Sequence, residues 1–339
     1  MIAPLMITLS LIIVTWNGMR HLPRCLAALV PQLPADAEIV QVDNASADGT
    51  VAWVRHHYPQ VRLLELAHNT GFAGGVAAGL AVARGHLILL LNDDAFVEPG
   101  FVQALLTAME LHPEASAASA ILTFDHQPEL IASAGIRLRR DAVALDVWAG
   151  RTLAELPEQP QAVFGASGGA ALYRRSALDE VGGIVPEFFA YLEDVDLAMR
   201  LRLRGHRTLV VPQARARHVY SATAGQGSPL KQRLLGRNRL RVIVRCMPGP
   251  LLLRWLPYIV GYELMAAAYA LWKQQPAMLA GRLMALHELP ALLAQRRVIQ
   301  AQRTAPIATF ATWFAPPPWA WATLREAKAL DTILADRPL

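Results

Sequence analysis

Between residues 7 and 122, short apolar runs alternate with helical segments, and this rhythm restricts the fold more than anything else in the chain. Ile7–Thr15 is a continuous leucine and β-branched run ending at Trp16-Asn17-Gly18, which predicts a strand buried on both faces and then a turn. A helical pattern follows to about Val30. Glu38–Val42 reads as the next strand, and Asn44-Ala45-Ser46-Ala47-Asp48-Gly49 as a loop or cap into a helix ending near His57. Val61–Leu66 is a third strand, Ala73–Arg84 a helix, and His86–Leu91 a fourth strand closed by Asn92-Asp93-Asp94. A helix over 99–111 and a strand over 115–122 complete the series. Strands in alternation with helices predict a mostly parallel sheet with helices on both faces. Asp43, Asn69 and Asp94 all fall just past strand ends, the edge where open α/β sheets bind ligands.

Of the 339 residues, 54% are apolar and 17% charged, so a large core is expected, with apolar surface left for a partner or a membrane. The character changes after residue 245, dividing the chain into a main domain over 1–245 and a helical, apolar region over 246–339. Leu251–Trp272 carries Arg254, Pro257 and Glu263, and Ile307–Leu324 contains three prolines, Pro316 to Pro318. A charge near the middle of a membrane span costs about 2.5–3.5 kcal/mol, so these segments read as helices on a membrane surface, against a partner or in a core rather than as spans. The apolar start, Met1 to Val14, lacks a basic flank and is shorter than the roughly 20 residues a span needs; it reads as a buried strand. Cys25 and Cys246 show neither metal nor disulfide spacing, which makes a reducing compartment the default.

The net charge of +5 is unevenly placed: from Leu197 to Arg245 there are twelve Lys or Arg and no Asp or Glu. Such a tract attracts phosphates or anionic lipid. Within it Lys231, Arg233, Arg237, Asn238 and Arg239 could clamp a diphosphate or simply cover a helix face. The aromatic interleaving of single-strand nucleic-acid platforms is missing, so nucleic acid is not an expected partner.

Four segments upstream of the tract, and His218 within it, carry chemistry. Asp43, in Val42-Asp43-Asn44-Ala45-Ser46-Ala47-Asp48-Gly49, could bind a base or ribose, or form an Asx-turn. Asn69-Thr70-Gly71-Phe72-Ala73-Gly74-Gly75 could admit a nucleotide or make a tight packing turn. The adjacent acids of Asn92-Asp93-Asp94 suit a hard divalent cation bridging to phosphate, or a strand-terminal cap, though caps rarely use two acids. In Glu193-Asp194-Val195-Asp196, helix pairing with Arg200 and the helix dipole account for Asp196 well and for the Glu193-Asp194 pair less well, and one of that pair could be a general base. His218 gains a metal role only if the fold brings it to Asp94.

Taken in order, these segments, together with Gly165-Ala166-Ser167-Gly168-Gly169-Ala170, Arg174-Arg175-Ser176, Val181-Gly182-Gly183 and Phe188–Asp196, resemble the family-two glycosyltransferases of GT-A fold, in particular their bacterial rhamnosyltransferase-like branch. The resemblance covers roughly residues 7–245. It implies that Thr15 and Asn17 line a nucleotide pocket with Asp43 on the base or ribose, and that Asn69 and Asp93 also face the donor. Asp94 would be the last acid of an Asp-x-Asp metal motif whose first acid is here Asn92, and His218 a further ligand to Mg²⁺ or Mn²⁺. Asp194 would be the catalytic base of an inverting transfer, with Glu193 its rival. Arg237 and Asn238 would lie near the donor diphosphate.

The expected activity is a metal-dependent transfer of a sugar, rhamnose by the branch, from a nucleoside-diphosphate donor to a polysaccharide or lipid-linked acceptor. The expected place is the cytoplasmic face of the cell membrane, held peripherally. A nucleotidyltransferase and a non-catalytic nucleotide-sugar-binding homologue are the competing classes.

Overall fold

The computed structural model describes residues 7–219 and 228–318. The chain begins β1 (Leu9–Thr15), α1 (Leu22–Leu29), β2 (Ala37–Asp43), α2 (Thr50–His57), β3 (Arg62–Glu65), α3 (Gly71–Val82) and β4 (Leu87–Asn92), the alternation that the apolar rhythm predicts. It continues through β5 (Ala95–Val97), α4 (Phe101–Leu111) and β6 (Ala115–Phe124) into β7 (Gln127–Ser133), β8 (Ile136–Arg139), β9 (Ala144–Asp146) and β10 (Gln161–Val163). Next come β11 (Ala170–Arg174), α5 (Arg175–Val181), α6 (Glu193–Leu203) and β12 (Arg207–His218). The remainder is helical: α7 (Pro229–Cys246), α8 (Gly249–Trp272), α9 (Pro276–His287), α10 (Leu289–Ala301) and α11 (Ile307–Ala311), before a final β13 (Phe314–Ala315).

The main sheet runs β10-β12-β6-β11-β4-β1-β2-β3, with β5 on β12 and β7 on β6. β4, β1, β2 and β3 are parallel neighbours, as are β6 and β12; β11 enters antiparallel between β4 and β6. Side chains alternate across a strand. In β1, Ile12 and Val14 therefore face one core and Leu9, Leu11 and Ile13 the other, and both cores are covered. That double burial is why β1 reads as an unbroken apolar run. The first core holds α3, α5 and α6; the second holds α1, α2 and α4.

The region after Cys246 shares the first core. Leu251, Trp255 and Ile259 of α8, with Phe310 and Phe314, belong to the same buried cluster as Ile12 and Leu90. β13 pairs in parallel with β8, and Phe164 packs against the rings of Phe310, Trp313 and Phe314. In the described part of the second apolar segment Phe310 and Phe314 enter the core while Ala308, Thr309 and Thr312 stay exposed, and its residues 319–324 lie outside the described residues. Among the described residues no single helix is long and apolar enough to cross a membrane; α9 and α10 reach that composition only together, across a 64° bend.

Candidate active site

The parallel strands deliver their polar ends to one edge of the sheet. Thr15 is in register with Asp43, and Val14 with Asn92. A cavity of about 540 Å³ opens there, within the range of small-molecule sites. It is lined by five carboxylates, Asp93, Asp94, Asp146, Glu193 and Asp194, together with His218. Lys231 is the one Lys or Arg among the described residues lining it.

β12 runs to His218, and its last residues pair antiparallel with β5. This pairing sets His218 Nε2 3.0 Å from Asp94 Oδ1 and 3.2 Å from Asn92 Nδ2. Burial alone would lower the His218 imidazole, but the Asp94 charge beside it raises it above its usual range. Burial would likewise raise Asp94, and the His218 ring holds it below the ordinary carboxylate value. Asp93, buried next to the Asp94 charge, is pushed up to about 7 despite a hydrogen bond from Thr15.

The start of α6 lines the same cavity. Its carboxylates follow a loop in which Phe189, Tyr191 and Leu192 all have positive φ (64°, 68° and 65°), costly backbone for residues with a Cβ. Two structures hold that loop. Gly71 sits at φ +74°, where a Cβ would meet the Phe189 carbonyl oxygen at 2.3 Å, and Ala73 N donates to that same oxygen at 2.9 Å. From the other side the buried Asn238 amide on α7 donates to the carbonyls of Phe188, Ala190 and Tyr191, at 2.9, 2.9 and 2.8 Å. Asn44 in turn fixes the glycine-rich turn, donating to Gly71 O at 2.9 Å and accepting from Thr70 N at 3.0 Å.

Asp194 accepts from Gly168 N at 3.0 Å and Val195 N at 2.8 Å, whereas Glu193 Oε2 is buried with no hydrogen-bond partner. Burial and the Asp194 charge push Glu193 well above its ordinary value; burial raises Asp194 too, against its two backbone donors. The environments differ: Glu193 is raised the further of the two, and Asp194 alone has backbone N–H donors to its carboxylate from Gly168 and Val195. Asp196 points away from the cavity. It is fully buried, with Arg200 Nε at 2.7 Å and Arg245 Nε at 3.2 Å, as its i,i+4 spacing to Arg200 predicts.

The remaining sequence candidates are placed as follows. Asn69 lines the cavity and caps Gly71 N at 2.8 Å. Asn17, at φ 52°, locks its loop to the Asp43 loop, donating from N to Ser46 Oγ and accepting Ala47 N at Oδ1, each at 2.8 Å. Thr15 is buried and accepts from Gln41 at 2.6 Å. Asp43 accepts from Ser46 N, as an Asx-turn would, while its Oδ1 is buried with no partner.

Much of the described basic tract is paired within the fold. Arg237 and Arg241 pair with Glu288 (both 2.7 Å), Arg239 with Glu263 (2.6 Å), Arg204 with Glu180 and Arg245 with Asp196. Arg202 donates to the carbonyls of Val163 and Phe164. Arg237 and Asn238 therefore serve α7 packing and the 188–192 loop rather than lining the cavity. Two lining residues lay outside the expected set. Trp16 follows the β1 run directly and exposes its ring to the cavity. Asp146, on β9, is pushed up to about 6, by burial first and then by the Asp194 charge, and has no local motif to announce it.

Fold and site together define a glycosyltransferase. The chain belongs to glycosyl transferase family 2, whose family model matches residues 10–182, just over half of its length. It is 29% identical over 241 residues to the N-acetylglucosaminyl-diphospho-decaprenol L-rhamnosyltransferase of Mycobacterium tuberculosis, spanning 64% of this chain and 78% of that one. Its fold, the GT-A glycosyltransferase fold, is like that of S. aureus TarS solved with UDP-GlcNAc, at TM-score 0.55 and 16% identity over 87% of this chain and 90% of that one. It is also like that of a Pyrobaculum calidifontis mannosyltransferase solved with GDP-Man and Mn²⁺, at TM-score 0.51 and 17% identity over 86% of each chain.

Proposed function

We propose an inverting, divalent-cation-dependent transfer of a sugar from a nucleoside-diphosphate donor to a hydroxyl of a lipid-linked or polysaccharide acceptor of the cell envelope. The observation that carries it is one cavity lined both by the Asp94–His218 contact and by the Glu193-Asp194 pair. The name of the mycobacterial relative supports rhamnose and a lipid-diphosphate acceptor.

Five carboxylates against one Lys is an unfavourable place for a diphosphate unless a cation intervenes. Among the described residues no three His, Cys, Asp or Glu groups could hold an ion alone. Asp94 and His218 nonetheless offer an oxygen and an imidazole nitrogen, and a hard cation that keeps few protein ligands takes its others from water and phosphate. Such an ion would neutralise charge developing on the leaving diphosphate. Lys231 would add a second positive charge there. The unpartnered Asp43 Oδ1 would accept from the base or ribose, and the Trp16 ring offers a stacking face.

Asp194, held by Gly168 N and Val195 N, would take the proton of the acceptor hydroxyl as its oxygen attacks the anomeric carbon opposite the leaving group. One displacement inverts the anomeric configuration. The test is a panel of nucleoside-diphosphate sugars, rhamnose donors included, with Mn²⁺. Nucleoside diphosphate and an inverted anomer by NMR are expected. Pyrophosphate release would mark a nucleotidyltransferase, and donor binding without turnover a silent homologue.

A further inference from the structure

Apart from Arg254 and the ion-paired Glu263, α8 is apolar on both its faces, yet only one of them is covered. Leu251, Trp255, Ile259, Ala266 and Ala270 form the buried stripe. On the other side Leu253 (74% exposed), Val260, Leu264 (67%) and Leu271 (69%) follow helical spacing, and Tyr258, Met265, Tyr269 and Trp272 (74%) flank them. A helix apolar all round is normally buried all round, so this outer half calls for a partner.

The charges around it say which. Between residues 246 and 318 the only acids are Glu263 and Glu288. Both are ion-paired within the fold, Glu263 with Arg239 and Arg282, Glu288 with Arg237 and Arg241. The exposed charges on α8 and its end are Arg254 and Lys273, both cations. Lys273 lies 4.2 Å over the Trp272 ring, an interfacial pairing of aromatic and cation. Self-association is disfavoured by the same pair: a two-fold contact of α8 on α8 sets Arg254 against Lys273, or each against its own copy.

We propose that the outer half of α8 is a docking surface for an anionic lipid bilayer, lying in the interface plane with Leu253, Leu264, Leu271 and Trp272 in the acyl boundary and Arg254 and Lys273 at the headgroups. The surface stands apart from the chemistry of transfer and binds lipid with or without a sugar donor.

The test is co-sedimentation of the full chain with phosphatidylcholine vesicles, with and without about 30% phosphatidylglycerol. The expected result is binding on the order of tenfold tighter to the anionic vesicles, weakened by salt. Leu264→Glu with Leu271→Glu should abolish it at an unchanged thermal midpoint and unchanged binding of Mn²⁺ and donor. Arg254→Gln with Lys273→Gln should narrow the gap between the two vesicle types while leaving the apolar contact. A wild-type chain that stays in the supernatant with anionic vesicles overturns the proposal. So does self-association that the double glutamate variant abolishes in the absence of any vesicle binding. Neither result touches the transferase reading, because the assay reads lipid binding alone.

Discussion

The side-chain amide of Asn238 donates to the carbonyl oxygen of Tyr191 at 2.8 Å, tying α7 to a residue that stands at φ 68° two positions before Glu193. Two further carbonyls, of Phe188 and Ala190, share the same nitrogen. One side chain thus holds a strained loop whose next residues are the proposed base and its neighbour.

Asn238→Ala should therefore lower kcat by at least tenfold while leaving the donor KM within about twofold, because the loop carries the base and not the cation site. The three carbonyls lose their donor, and a loss of about 1–3 kcal/mol in stability is expected by thermal denaturation. Equal changes in kcat and KM would assign Asn238 to donor binding instead.

Transfer should fall as pH drops, because Asp194 must be ionised to accept a proton. Burial raises its carboxyl, so the acid limb of kcat/KM should lie above the ordinary carboxylate value of about 4. Asp194→Asn should remove turnover and spare donor binding measured by calorimetry, whereas Glu193→Gln, which mimics the protonated acid, should retain more activity. The reverse order would make Glu193 the base.

Asp146 gives a separate signature in stability. Its folded value is raised from 3.8 to about 6, so its contribution is full below 3.8 and is lost as pH rises through about 6. The stability of the wild type relative to Asp146→Asn should decline across that window. A difference flat in pH would show that Asp146 titrates normally.

Asp94→Ala should eliminate Mn²⁺-dependent donor binding, and His218→Ala should weaken it by roughly 10–100-fold. Both are read as loss of the thermal shift that metal and donor produce together. An Asp94→Ala chain that titrates with Mn²⁺ like the wild type would falsify the cation assignment.

Asp196→Ala leaves Arg200 and Arg245 buried without their shared carboxylate. The cost should be about 3–5 kcal/mol, visible as a lower denaturant midpoint, with no change in the pH profile of whatever activity remains.

How much of this was legible in the sequence follows from the range of each interaction. β1 to β4, and so the polar residues that follow their ends, were readable because burial on both faces writes itself into consecutive residues. The Asp196–Arg200 pair was readable because it spans one helical turn. The meeting of His218 with Asp94 was not, since it depends on β12 crossing to β5, and no local pattern records that pairing. The cationic tract misled for the same reason: Glu263 and Glu288, which neutralise Arg237, Arg239 and Arg241, lie 24 to 51 residues away from them in sequence. Asn238 looks like a ligand-facing polar residue until the strained loop it serves is seen.

Phe164 stands three residues before Ser167 in the loop that supplies Gly168 to Asp194, and it is walled in by Phe310, Trp313 and Phe314 from the far end of the chain. Arg202 of α6 stacks 3.9 Å from the Trp313 ring and donates to the Phe164 carbonyl. The 310–314 segment and the loop that holds Asp194 thus vary as one heritable unit. A chimera that grafts the last helices of a relative onto this chain should fold and turn over only when residue 164 travels with them.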